Sequence, residues 1–288
     1  GRLTMTQTAI TDLPGFQNCL KFACTTADTS IAAAERFRLE YKMEGFDAQG
    51  LAKGTSDAKP VTVSFYVKGH DSATYTVGLY EGTTGRKIAA TFPVTTSWVR
   101  QTVTFAGDTT GVIPNNNTAQ LMLRFYLHAG SNYTSGTLGT SWNADGNTVQ
   151  ISSDANSIFE STSAEFFLTG VQMEIGSQAT PFEHRRTGEQ LQECQRYFQK
   201  ISSIDAVGQY TAGQAAPTFN FAYPTPMRAA PTITLTSPAG GLANSGTYTQ
   251  RNITADSYNF YVGSSSGNGH SGIGHNGQPA SITLEAEL

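Results

Sequence analysis

The chain has 288 residues, a length that predicts about two domains and a core large enough to stand without disulfides. Its formal net charge is −4 and its pI about 5.7, so nothing predicts a protein that tracks a nucleic-acid backbone. Charged residues are only 14% and aromatics 10%, so polarity comes from hydroxyls and amides, as in many-stranded β proteins and unlike disordered chains.

The opening GRLTM reads as the remnant of a longer polypeptide. Cys19 and Cys24 lie five apart, which puts them on opposite faces of a strand. They are expected to be buried thiols and not a bridge, and with Cys194 the count predicts no disulfide framework. No run of about 18 apolar residues occurs, so no membrane insertion is predicted.

Period-two alternation dominates residues 35–175. Val61, Val63, Phe65 and Val67 share one face of a strand, with Thr62, Ser64, Tyr66 and Lys68 on the other. Tyr75, Val77 and Leu79 align, as do Val99, Val103 and Phe105. Leu121, Leu123, Phe125 and Leu127 oppose Met122, Arg124, Tyr126 and His128. Phe166 and Leu168 fall on one phase and Val171, Met173 and Ile175 on the other, which predicts a β-bulge at Gly170. Strands at this spacing, broken by Gly, Asn and Pro turns, predict a jelly-roll β-sandwich over residues 1–183.

A linking helix is expected over 184–201. Thr187 followed by Gln190 forms a capping box, and Leu191, Cys194, Phe198 and Ile201 follow a heptad seam. That seam has two readings: a helix lying on its own sandwich, or a short parallel bundle about a symmetry axis. Residues 202–288 then read as a second, small β-sandwich. Phe219, Phe221 and Tyr223 alternate there, as do Ile233 and Leu235, Tyr258, Phe260 and Val262, and Ile282 and Leu284. A unit this small gains stability from partners.

Two catalytic spacings occur and are rejected. Gly267, Gly269 and Gly272 satisfy G-x-G-x-x-G, and Gly263, Ser265 and Gly267 satisfy G-x-S-x-G. Both chemistries need a helix next, and IGHNGQP is none. Asp145, Asp154 and Glu160 are scattered acids that single out no glycosidase pair. Asn143, Asp145 and Asn147 place oxygen ligands at alternate positions, like a piece of a calcium loop, or form an Asp-Gly turn. His270 and His275 sit in GNGHSGIGHNG, either as solvated loop residues or, repeated around a trimer axis, as ligands to a transition metal. No cofactor is otherwise expected, and no enzyme.

Saccharide recognition needs an aromatic plane and polar groups to read the hydroxyl rim. Arg124, Tyr126 and His128 line one face of a strand, and the following loop carries Asn132, Tyr133 and Trp142. Trp142 is a binding platform or a loop plug; Trp98, ahead of a strand, is expected to be structural. Tyr248, Tyr258 and Tyr261 are the alternatives in the C-terminal domain.

MEGFDAQGL, KPVTVSFYVKG, SWVRQTVTFAGDTTG, QLMLRFYLHAGSN and, most specifically, VQMEIGSQATPFEHR with ECQRYFQ resemble the carbohydrate-binding-module-like jelly roll of phage tail-fibre and receptor-binding proteins. The resemblance spans residues 16–200, and PMRAAPTITL with SITLEAEL is similar to their C-terminal tip. It implies a parallel homotrimer at the distal end of a virion fibre, continuous with an upstream shaft, that binds host polysaccharide or lipopolysaccharide. It transfers no binding residue. A non-catalytic end of a depolymerising tailspike and a purely structural trimerisation tip are the alternatives.

Overall fold

The computed structural model describes residues 1–204, 206–210, 218–236, 245–264, 269–273 and 280–288. The chain divides into two compact units, Gly1–Glu183 and His184–Leu288.

The first unit is a jelly-roll β-sandwich of two antiparallel sheets. Its strands are β1 (Leu3–Ala9), β2 (Asn18–Cys24), β3 (Arg36–Glu44), β4 (Val61–Gly69), β5 (Ala73–Glu81), β6 (Lys87–Val94), β7 (Val99–Phe105), β8 (Ala119–Ala129) and β9 (Glu165–Ile175). One sheet runs β1-β2-β9-β4-β7 and the other β3-β8-β5-β6. The alternating apolar phases of the sequence meet between them. Phe65 sits at the centre, edge-on to Phe92 at 5.1 Å and to Phe125 at 4.9 Å. Val63, Val67, Val77, Leu79, Leu127 and Phe166 complete a fully buried layer around it. Non-directional apolar burial of this kind, reinforced by edge-to-face aromatic pairs, is what holds the two sheets together.

The bulge expected at Gly170 is present. The β4–β9 register slips between Ser64 and Tyr66, and Gly170 adopts a φ of 57°. One extra residue returns Val171, Met173 and Ile175 to the phase of Leu168. Cys19 and Cys24 are buried free thiols, and Cys194 is exposed.

The second unit begins with a short helix. Counting the single turn Ser131–Thr134 of the first unit as α1, this helix is α2 (Thr187–Gln195). Its strands are β10 (Phe198–Ile204), β11 (Ala206–Tyr210), β12 (Thr218–Ala222), β13 (Thr232–Thr236), β14 (Ser245–Arg251), β15 (Ser257–Ser264), β16 (Gly269–Ile273) and β17 (Ala280–Glu285). Sheets β10-β17-β13 and β12-β15-β14 share a core of Ile233, Tyr258, Phe260, Ile282 and Leu284, and β11 pairs with β16.

The helix corrects two expectations. It stops at Gln195, six residues before Ile201, because the chain beyond is captured by β17. Phe198 pairs with Glu285 and Ile201 with Ile282, and the Ala286 amide donates to the Tyr197 carbonyl. Strand pairing of an aromatic and β-branched run overrides the heptad spacing. Leu191 and Cys194 therefore stay on a helix while Phe198 and Ile201 belong to a strand, so the four do not form one seam. The capping box is also absent. Arg186 is the N-cap, its carbonyl accepting from the Glu189 and Gln190 amides, and Thr187 is already helical. Among the described residues, no helix is long and apolar enough to cross a membrane.

At Gly170 a Cβ would lie 2.8 Å from the Phe16 ring and 2.9 Å from Tyr66, on top of its left-handed φ. Gly170→Val is expected to lose about 1–3 kcal/mol of stability in denaturant unfolding. Gly146→Ala, whose Cβ meets nothing within 4 Å, is expected to change it by less than about 0.5 kcal/mol.

Candidate functional site

Arg124 and Tyr126 point outward from the β3-β8-β5-β6 sheet, on the side away from the core, while His128, paired with Phe37 after a register shift in β8, lies on the core-facing side. They are not solvated: their exposures are 7%, 4% and 4%. The alternation predicted the phase of Arg124 and Tyr126 but not their cover, and the extra residue at Leu127 turns His128 to the other side. The excursion from residue 130 to 158 folds back over this face. Tyr126 Oη donates to Gln150 Oε1 at 3.2 Å, and the Ser152 amide donates to Thr76 Oγ1 at 3.2 Å. Asn156 exchanges hydrogen bonds with the Thr74 backbone, the Ile158 amide reaches the Leu127 carbonyl, and Asn143 bridges to Lys87. His128 holds Ser157 Oγ at 2.7 Å and packs edge-on against Phe159 at 4.9 Å. Burial pushes the His128 imidazole down despite the opposing pull of Glu35. Tyr126 and His128 are thus structural, not ligand-facing.

Trp142 is the plug of this excursion and not its platform. It is partly buried against the sandwich core, and its Nε1 donates to the Ala106 carbonyl at 2.6 Å. Beneath it lies a buried charge cluster. Arg86 grips Asp108 in a bidentate pair at 2.7 and 2.8 Å, and Lys53 Nζ reaches Asp108 Oδ2 at 2.8 Å while sitting 4.8 Å from the Trp142 ring centre. Arg86 also donates to the Trp142 carbonyl at 3.2 Å. Burial raises the Asp108 carboxyl, but Arg86 and Lys53 more than offset it and hold it at about 2.

A half-open part of this face runs along edge strand β3. Arg36, Arg38 and Glu40 follow at spacing two on its outer side. Glu40 accepts from Arg38 Nε at 3.0 Å and from Arg124 Nε, directly across on β8. Arg124 lies over the Tyr80 ring at 3.9 Å, across Gly78, which adds no side chain. Arg36 lies over the Tyr133 ring at 4.3 Å and donates to Gln150 Oε1 at 3.3 Å. Burial raises the Glu40 carboxyl, but Arg124 and Arg38 outweigh it, so Glu40 stays ionised and cannot serve as a proton donor near neutrality. The result is a tyrosine-floored row of guanidiniums on a rigid sheet, able to stack on a ring and to donate many hydrogen bonds.

Of the residues predicted from sequence, Arg124 and Tyr133 join this row. Asn132 is exposed at its rim, its amide donating to the Ala33 carbonyl. Arg36, Arg38, Glu40 and Tyr80 were missed. The signal was in RFRLEYKME, where charges alternate with Phe37, Leu39, Tyr41 and Met43.

A second aromatic patch lies on the outer face of the other sheet. Trp98 and Phe167 sit 6.3 Å apart, and Trp98 is half-buried there, donating to Asp12 Oδ1 at 2.9 Å. Its charges cancel internally: Lys68 pairs with Asp12 and Lys21 with Glu165, both ammoniums lying within 5.3 Å of the Phe167 ring centre.

The Asn143 side chain accepts from the Asp145 amide at 3.2 Å, a turn closing on itself. Among the described residues, no group of three or more His, Cys, Asp or Glu side chains could hold a metal. His270 lies on β16 opposite Gln209 in the backbone register, and His275 is outside the described residues. Of the C-terminal tyrosines, Tyr258 is fully buried.

No protein-family model and no curated protein matches the chain. Several solved structures overlap loosely. A structure described as "CBM4 structure and function" shares 12% identity over 61% of this chain and 80% of its own, with a TM-score of 0.32. A family 11 carbohydrate-binding module from Clostridium thermocellum, in complex with a β-1,3-1,4-mixed-linked tetrasaccharide, shares 11% over 62% of this chain and 86% of its own, at 0.31. The enzymatically active domain of tailspike protein 4 of bacteriophage CBA120 shares 12% over 60% of this chain, which spans 19% of that one, at 0.29. Overlaps this loose carry no weight for the site, which rests on this chain's own residues.

Asp108 is ordinarily protonated near 3.8 and in the fold only near 2, so its contribution is present above about pH 4 and is lost as pH falls toward 2. The expected loss is about 2 kcal/mol, read as a falling unfolding midpoint, and Asp108→Asn is expected to flatten that dependence. Trp142→Ala is expected to destabilise the fold by about 3 kcal/mol.

Proposed function

We propose that the N-terminal sandwich is a non-catalytic glycan-binding unit, and that the chain forms the receptor-binding end of a phage tail fibre directed at host polysaccharide or lipopolysaccharide. The observation that carries the reading is the half-buried row along β3, flanked by Tyr80 of β5 and Tyr133 and backed by the buried Arg124 of β8. It is shallow, preformed and held by buried ion pairs, and it combines ring faces with a dense set of fixed donors. Sugars present the complementary surface, an apolar ring face with a hydroxyl edge. Its single carboxylate is locked between two guanidiniums, which favours adhesion over bond cleavage.

A shallow site binds weakly alone. Three copies on a fibre would raise the effective concentration of each later contact, so a homotrimer suits this task. Large apolar side chains exposed on the C-terminal unit support self-association: Leu191 is 55% and Phe198 44% exposed. The upstream shaft and the virion location follow from the same reading, as does the absence of catalysis.

Arg38→Ala and Tyr80→Ala are expected to keep the unfolding transition and to weaken binding of the chain to host cells by about tenfold. Unchanged adhesion in both would overturn the assignment to this face. Release of new reducing ends from host polysaccharide by the wild-type chain would overturn the non-catalytic reading. Leu191→Asp with Phe198→Asp is expected to shift the sedimenting species from trimer toward monomer, and an unaltered trimer would remove these side chains from the contact.

A further inference from the structure

We infer that the row along β3 selects an acidic sugar, one whose carboxylate seats on the Arg36 guanidinium. The inference rests on the glycan reading above and names the class of saccharide for that same site.

The charges in the row do not balance. Three guanidiniums, Arg36, Arg38 and Arg124, face one carboxylate, and Glu40 is shared by Arg38 and Arg124. Elsewhere in the sandwich a buried cation cluster has its own acid: Lys53 and Arg86 converge on Asp108. Among the described residues, Arg36 has no carboxylate at ion-pair distance. Its polar contact is the neutral Gln150 side-chain oxygen at 3.3 Å, and its flat face rests on Tyr133 at 4.3 Å.

A half-buried cation without a counterion is a standing electrostatic cost, and a bound anion removes it. Burial, then the neighbouring Arg38, push the Arg36 guanidinium down from its usual value, in keeping with an uncompensated charge. The Tyr133 contact fixes the plane of the guanidinium and Gln150 takes part of its donor set. What remains is a planar fork of the kind that pairs in-plane with a carboxylate. Glu40, four residues along the strand and shared by Arg38 and Arg124, adds negative charge to the row and disfavours a dianion such as a phosphate monoester. A uronic or sialic acid offers a planar monoanion beside a ring face, which matches a guanidinium fork next to tyrosines.

The test uses the intact chain on an array of uronate- and sialate-containing oligosaccharides, each printed beside its carboxyl-reduced partner, with sulfated oligosaccharides as a further arm. At least one acidic member is expected to bind about tenfold tighter than its reduced partner, with the preference weakening as salt rises. In Arg36→Gln, checked for an unchanged unfolding transition, that preference is expected to fall to within about twofold while binding of the reduced partner is kept. Equal binding of acidic and reduced partners, or binding confined to the sulfated arm, would overturn the inference and leave the glycan reading standing. Binding to no saccharide on the array would overturn both.

Discussion

Strand β8 has neither face in water, and the arrangement of the sandwich's surface follows from that. Leu121, Leu123, Phe125 and Leu127 fill the space between the sheets. Arg124 and Tyr126, on the opposite phase, are buried as well. A strand with polar groups on a covered face needs partners for each of them, since an unpaired buried donor or charge costs more than the burial returns. The excursion over residues 130–158 supplies those partners, and Asp108 with Lys53, Arg86 and Trp142 pins it down. Once that cover is in place, the strip along edge strand β3 stays half-open, as Thr91 and Pro93 do at the β6 edge.

That strip inherits its chemistry from the cover. Gln150, buried under the excursion, bridges Tyr126 to Arg36, and Tyr133 supplies the ring beneath Arg36. A surface held by such contacts would lose little affinity to ordering if a saccharide bound there. The other sheet shows the contrast. At its Trp98–Phe167 patch Lys68 and Lys21 each have an acid, and Arg100 beside it over Tyr66 is held by the Ser64 hydroxyl and the Thr180 carbonyl.

Residue pattern alone made the core legible. The apolar phases of β4, β5 and β8 meet as expected, and the misfit around Gly170 resolved into a bulge, because side-chain alternation is a local property of a strand. What covers the opposite phase is a long-range property. Arg124 and Tyr126 looked like solvated residues because nothing within their own strand announces a loop returning from 25 residues downstream. Trp142 stayed open between platform and plug for the same reason, its partners Ala106 and Lys53 being distant in sequence. The helix failed differently: the heptad spacing through Ile201 was genuine, but β17, 80 residues further on, captured its second half. Arg36, Arg38 and Glu40 were visible as alternating charges, but their meaning depends on Arg124 across the sheet.

The account stands or falls on where a saccharide touches the chain. Amide hydrogen exchange of the intact protein, with and without host surface polysaccharide, locates that contact without any substitution. Slowed exchange is expected in β3 and in residues 130–150, with the C-terminal unit unchanged apart from its own association. Slowed exchange confined to residues 198–288, with β3 unaffected, would contradict it.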